Sequence, residues 1–121
     1  MPAIQEQNPD NLWAEIEALD WERDTSYERI QEFLHLHPAR RDRLNAFRRE
    51  RFHELSKPVW ELILNNDYGY VSNDGMDDCI NHIIGCGHTE FANALANPAL
   101  VLERYKQCDY QESFAYAFQP L

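Results

Sequence analysis

The stretch Ser72-Asn73-Asp74-Gly75-Met76-Asp77-Asp78-Cys79-Ile80-Asn81-His82-Ile83-Ile84-Gly85-Cys86-Gly87 decides how the chain is read. Ser72 to Gly75 has the composition of a turn, and Asp74 is well placed to cap the helix that follows. Met76, Cys79, Ile80, Ile83 and Ile84 recur at three- and four-residue spacing, which puts them on one helical face. Gly87 stands where a glycine closes a helix. No run of strand-like alternation competes with this spacing, here or elsewhere in the chain.

The same period extends in both directions. Tyr70-Val71 is too short for more than a bridge of extended chain, and Asn65-Asn66-Asp67 with Gly69 breaks the pattern before it. Upstream, a long helix from about Ala39 to Ser56 carries Leu44, Phe47, Phe52 and Leu55. Pro58 either kinks it or opens a further helix through Val59, Trp60, Leu62, Ile63 and Leu64. A shorter helix starts at Thr25 or Ser26, carries Tyr27, Ile30, Phe33 and Leu34, and ends at His35-Leu36-His37-Pro38. The first begins at Asp10 or Asn11 and aligns Leu12, Ile16 and Leu19. Downstream, Thr89 is the expected cap of a helix with Phe91 and Leu95, stopped by Asn97-Pro98. Leu100, Val101, Leu102 and Tyr105 mark another, and Tyr110 to Phe118 a short terminal one. The expectation is all-α: one compact domain of about six to eight helices over residues 10–121, after a flexible tail over 1–9.

Composition narrows the function. With 121 residues, 44% hydrophobic, the chain suffices for one domain that folds without disulfides or metal. No apolar run approaches the roughly 20 residues of a membrane span. Met1 to Asp10 lacks the form of a secretory signal, so a cytoplasmic setting is expected. Three cysteines fit reduced thiols better than a disulfide framework. The net charge of −10 is uneven. Residues 1–38 carry nine acids against two bases, 39–57 seven bases against three acids, and 58–121 nine acids against two bases. A pI near 4.8 argues against binding nucleic acid through its phosphates. It suits an acidic surface offered to a basic protein partner, with Glu15, Glu17, Asp20, Glu22 and Asp24 as the expected partner-facing acids.

Three groups of side chains invite chemistry. Cys79, His82, Cys86 and His88 have metal-ligand character, and the first three share a helix face. Spread over seven residues they span about 10 Å along the axis, too far to converge on one ion. Small buried hydrophobes, with His82 at the edge of the stripe, is the better reading of them. Asp74, Asp77 and Asp78 surround a helix start, where negative charge is favourable by about 0.3–1 kcal/mol each, and they match no calcium-loop pattern. Arg48 and Arg51 fall within about 40° of Leu44 around the long helix, inside its apolar stripe. Either their stems pack and their heads reach the surface, Asp20 or Asp74, or they form the basic floor of an anion site. Together with Asp74, Asp77 and Asp78 they are the candidate anion or partner contacts. No nucleophile elbow, zinc-protease helix or phosphate loop occurs, so no catalytic residue is assigned.

The run Ser72 to Cys79, followed by Ile83-Ile84, Gly87, Phe91, Ala94 and Asn97-Pro98, resembles the signature of domain-of-unknown-function family 4240. Leu12-Trp13 and the apolar segment around Trp60 fit the same likeness, which covers about residues 11–118. Met76, Cys79 and His82 depart from it, standing where large aromatics are expected, as core replacements would. The resemblance implies a small helical fold of mostly bacterial distribution and no established activity. Some relatives look like genes found beside bacterial toxins.

The function expected from these readings is a non-catalytic, acidic interaction module. It would be of the bacterial immunity, antitoxin-like or inhibitor kind, binding a basic protein partner such as a toxin, with no cofactor, no direct nucleic-acid contact and no membrane. The alternatives are a small-molecule or anion-binding domain using Arg48 and Arg51, and an enzyme without a recognisable motif. A concave pocket lined by those arginines would favour the anion; an acidic surface with exposed aromatics would favour the protein partner.

Overall fold

In the computed structural model, which describes residues 9–23, 26–66, 69–111 and 114–120, seven consecutive residues from Cys79 to Gly85 are buried. Seven residues make nearly two turns, so the helix is covered on every side rather than along one stripe. This helix, α4 (Asn73–Cys86), is the centre of the fold. Around it lie α1 (Pro9–Ala18), α3 (Pro38–Asn65), α5 (His88–Ala96), α6 (Ala99–Lys106) and a closing 3-10 segment, Phe114–Phe118. The remaining helix, α2 (Tyr27–His35), packs on α3 and most extensively on the 3-10 segment. Six α-helices and no strand among the described residues make this an all-α domain, as the spacing predicts. No described helix is long and apolar enough to cross a membrane.

Local chemistry explains most boundaries, with three corrections. The cap of α4 is Ser72, whose Oγ accepts from Gly75 N–H at 3.2 Å; Asp74 sits inside the first turn instead. Helix α5 starts directly after Gly87, so Thr89 is internal to it. Its free His88 N–H is taken by the Glu17 carboxylate at 2.8 Å, a cap delivered from α1. Pro58 does not divide the long helix: α3 runs as 28 residues with Pro58 inside. Helix α1 begins at Pro9; residues 1–8 of the expected tail lie outside the described residues, as do Asp24, Thr25 and Asp67.

The core gathers Trp13, Ile16, Trp21, Ile30, Leu34, Leu44, Leu55, Met76, Ile80, Ile84, Leu102 and Phe114. Gly85 is closely packed within it. A Cβ there would lie 2.6 Å from Trp21 Cδ1 and 2.9 Å from Phe114 Cδ1, so both rings rest on bare helix backbone. The Gly85→Ala variant separates packing from propensity. Helix propensity alone would make it stabilising by about 1 kcal/mol. Overpacking should instead destabilise it by about 1–3 kcal/mol in urea unfolding. A more stable variant would mean that the two rings do not rest there.

Candidate functional site

The polar residues buried within α4 are structural. His82 Nδ1 accepts from Trp21 Nε1–H at 3.0 Å and from the Gln111 backbone N–H at 3.1 Å. With Nδ1 accepting twice, the ring proton belongs on Nε2 and the imidazole is neutral. Burial pushes its pKa down to about 4; nearby Arg104 acts in the same direction, while Asp109 and Glu22 oppose it. Asn81 donates through Nδ2 to the Asp77 carbonyl at 2.9 Å and accepts at Oδ1 from Arg48 at 2.7 Å.

Cys79, His82, Cys86 and His88 occupy separate environments. The Cys79 thiol is buried and 3.7 Å from the Val101 carbonyl. Cys86 lies beside Glu22, and burial pushes both thiols up to about 12. His88 is exposed and stacked on Trp13, with ring centres 5.2 Å apart. Among the described residues no three His, Cys, Asp or Glu are placed to hold a metal ion.

Neither candidate arginine reaches Asp20 or Asp74. Arg48 gives Nε and an Nη to Asn45 Oδ1, at 3.1 and 2.7 Å, and its other Nη to Asn81. Its guanidinium lies over the Phe118 ring, 5.4 Å from the centroid. Amides have replaced carboxylates around it, so burial and nearby Arg49 lower its pKa to about 10. Arg51 stays within α3, 2.9 Å from Glu54 and 3.3 Å from Glu50, over the Phe47 ring. The two arginines are braces on separate aromatic rings and line none of the clefts described below.

The N-terminal acids are mostly engaged. Glu15, expected to face a partner, bridges Arg43 at 2.7 Å and Arg40 at 3.3 Å, tying α1 to α3. Glu17 caps α5, and Asp20 pairs with Arg23. Glu17, Asp20 and Glu22 share a shallow cleft with Trp21 and Cys86, while Asp24 lies outside the described residues.

The three aspartates of α4 are brought together differently. Asp74, Asp77 and Asp78 line a cleft of about 690 Å³ together with Ser72, Gly75, Tyr105, Tyr110 and Tyr116. Asp74 and Asp77 make no ion pair or hydrogen bond through their carboxylates among the described residues. Partial burial, and then the charge of Asp74, hold the Asp77 pKa above the usual carboxylate range. The Tyr105 hydroxyl accepts from Ser72 N–H at 3.0 Å, and the Tyr105 and Tyr110 rings are parallel within 11° at 6.1 Å. Their placement depends on a reversal after α6. Cys108 takes φ 54°, with Cys108 N–H on the Tyr105 carbonyl and Asp109 N–H on the Arg104 carbonyl. That is the Schellman pattern, with cysteine where glycine is usual. The sequence reading missed the tyrosines, because they come from three separate segments.

No family model matches the chain, and comparisons with the curated proteins and with the solved structures find no match.

Two expectations follow from these interactions. The folded chain keeps His82 neutral to about pH 4, whereas the unfolded chain protonates it near 6.5. Its stabilising contribution is therefore complete above pH 6.5 and is lost as pH falls towards 4, by about 3 kcal/mol. His82→Asn, which retains an acceptor but cannot titrate, should flatten that part of the stability–pH curve; an unchanged slope would contradict a neutral buried imidazole. For Arg48→Met, loss of the donor to Asn81 Oδ1 should cost about 1–3 kcal/mol. Phosphate at matched ionic strength should leave both melting temperatures alike. Stabilisation of the wild type only would restore the anion site.

Proposed function

We propose that this chain is a non-catalytic interaction module that offers an acidic, tyrosine-walled cleft to a basic protein partner. Its mode of action would be that of an immunity protein, an antitoxin or another inhibitor, in a bacterial cytoplasm. One observation carries this reading: Asp74 and Asp77 line a cleft with three tyrosines and, among the described residues, neither carboxylate has an ion-pair partner, although arginines brace the core elsewhere. Two carboxylates held close together beside aromatic rings favour the arrival of a cation. The surrounding charge of −10 would accelerate encounter with a basic surface and make association fall with salt.

The test is affinity capture from the native host with the wild type and with an Asp74→Asn, Asp77→Asn, Asp78→Asn triple variant. The captured protein is then purified and the pair reconstituted. A stoichiometric basic partner, bound at least tenfold more weakly by the triple variant and more weakly in higher salt, is the expected result. A partner that binds both forms equally would remove the cleft from the interface, and an acidic or nucleic-acid partner would end the reading.

A further inference from the structure

The cleft's composition specifies more than a positive charge. Resting on the reading that a basic protein binds here, we propose that the cleft receives one arginine side chain of that partner, its guanidinium held between the aspartates and the tyrosine wall.

Three kinds of cation can be compared. A bare metal ion needs several anionic or neutral ligands converging within about 2–2.6 Å, and no such group occurs among the described residues. An ammonium is compact and strongly hydrated, so it gains less than a guanidinium on leaving water for an aromatic surface. A guanidinium is planar and weakly hydrated on its faces, and it directs its donors in its own plane. It can therefore lie against an aromatic face while donating sideways to carboxylates. Tyr105 and Tyr110 supply parallel rings, and Asp74 and Asp77 supply acceptors in the same cleft.

The protein's own arginines show the same preference. Arg40, Arg48 and Arg51 each lie over a phenylalanine ring, at 5.7, 5.4 and 4.8 Å from its centroid. The tyrosine cleft combines rings with carboxylates and, among the described residues, has no Lys or Arg in its lining. Its wall is also seated firmly. A Cβ at Gly75 would come within 2.9 Å of Tyr105 and 3.3 Å of Tyr110, so both side chains rest on the helix backbone. An arriving cation would also relieve the repulsion between Asp74 and Asp77, which contributes to the raised pKa of Asp77.

The experiment titrates the whole chain with acetyl-arginine amide, its lysine counterpart and its uncharged citrulline counterpart at fixed ionic strength, followed by NMR. The arginine compound should shift resonances of Gly75, Tyr105 and Tyr110, and bind at least tenfold tighter than citrulline and severalfold tighter than lysine. Asp77→Asn and Tyr110→Leu, each checked for a native spectrum, should weaken it at least fivefold. Equal binding of citrulline, or shifts scattered over the acidic surface and unchanged in both variants, would overturn the proposal. In the reconstituted complex, changing partner arginines singly to lysine should find one position that loses at least tenfold in affinity. Partner binding that survives both cleft variants would overturn the arginine anchor and leave the broader reading standing. Arginine amide binding with no captured protein would overturn the partner and leave a free guanidinium compound as the ligand.

Discussion

Trp21 and Phe114 rest on the bare backbone of Gly85, and much of the fold depends on that contact. Trp21 belongs to the chain after α1 and Phe114 to the 3-10 segment, so two distant parts of the sequence meet on the central helix. Once seated, Trp21 has its indole N–H beside His82, and the same imidazole nitrogen takes the Gln111 N–H. Each hydrogen bond contributes only about 1 kcal/mol net, whereas burying a large aromatic side chain contributes about 1.5–3 kcal/mol. The rings therefore hold the termini, and the hydrogen bonds set how they lie. A five-residue 3-10 turn has little stability of its own, so Phe114, Ala117 and Phe118 must anchor it in the core.

Enclosing a helix on all sides puts its polar residues in the interior, and their partners shape the surface charge. Asn81 is met by Arg48 from α3, and in turn holds the Asp77 carbonyl. That arrangement directs a cation to amides and to the Phe118 face, and among the described residues the Asp77 carboxylate has no hydrogen-bond donor. The N-terminal acids have the opposite fate. Glu15 and Glu17 are consumed in tying α1 to α3 and α5. A sequence can show where acids are dense; which of them remain uncompensated is decided by tertiary pairing.

The division between what was legible in the sequence and what was not follows that line. Met76, Cys79, Ile80, Ile83 and Ile84 reveal a helix because the apolar period is local, and the all-α class follows from repeating that argument along the chain. The enclosure of α4 was hidden because Asn81 and His82 look like an exposed face until their partners are known. Ser72 and Asp74 are both competent caps, so composition could not choose between them. The Glu17 cap comes from 71 residues away, and the αL turn at Cys108 carries no glycine to announce it. The aspartate half of the cleft was legible as a helix start, but its tyrosine half exists only after α6, the connector and the 3-10 segment fold back.

The cleft is consequently an extension of the core. Gln111, whose backbone is held by His82, directly follows Tyr110, the ring that lies parallel to Tyr105. Tyr105 is fixed from the other side by the Ser72 N–H, and Ser72 is the residue that caps α4. The same helix start thus positions Tyr105 as well as the aspartates. The helix field is strongest in the first turn and weakens by Asp77, where burial and the neighbouring carboxylate raise the pKa. The carboxylate held above its usual range accordingly belongs to the residue whose backbone carbonyl is bonded to Asn81, which Arg48 holds in turn. Because the core holds that backbone, the carboxylate moves by turning its own side chain, and in the cleft it stays within reach of solvent or of a cation entering beside the tyrosines.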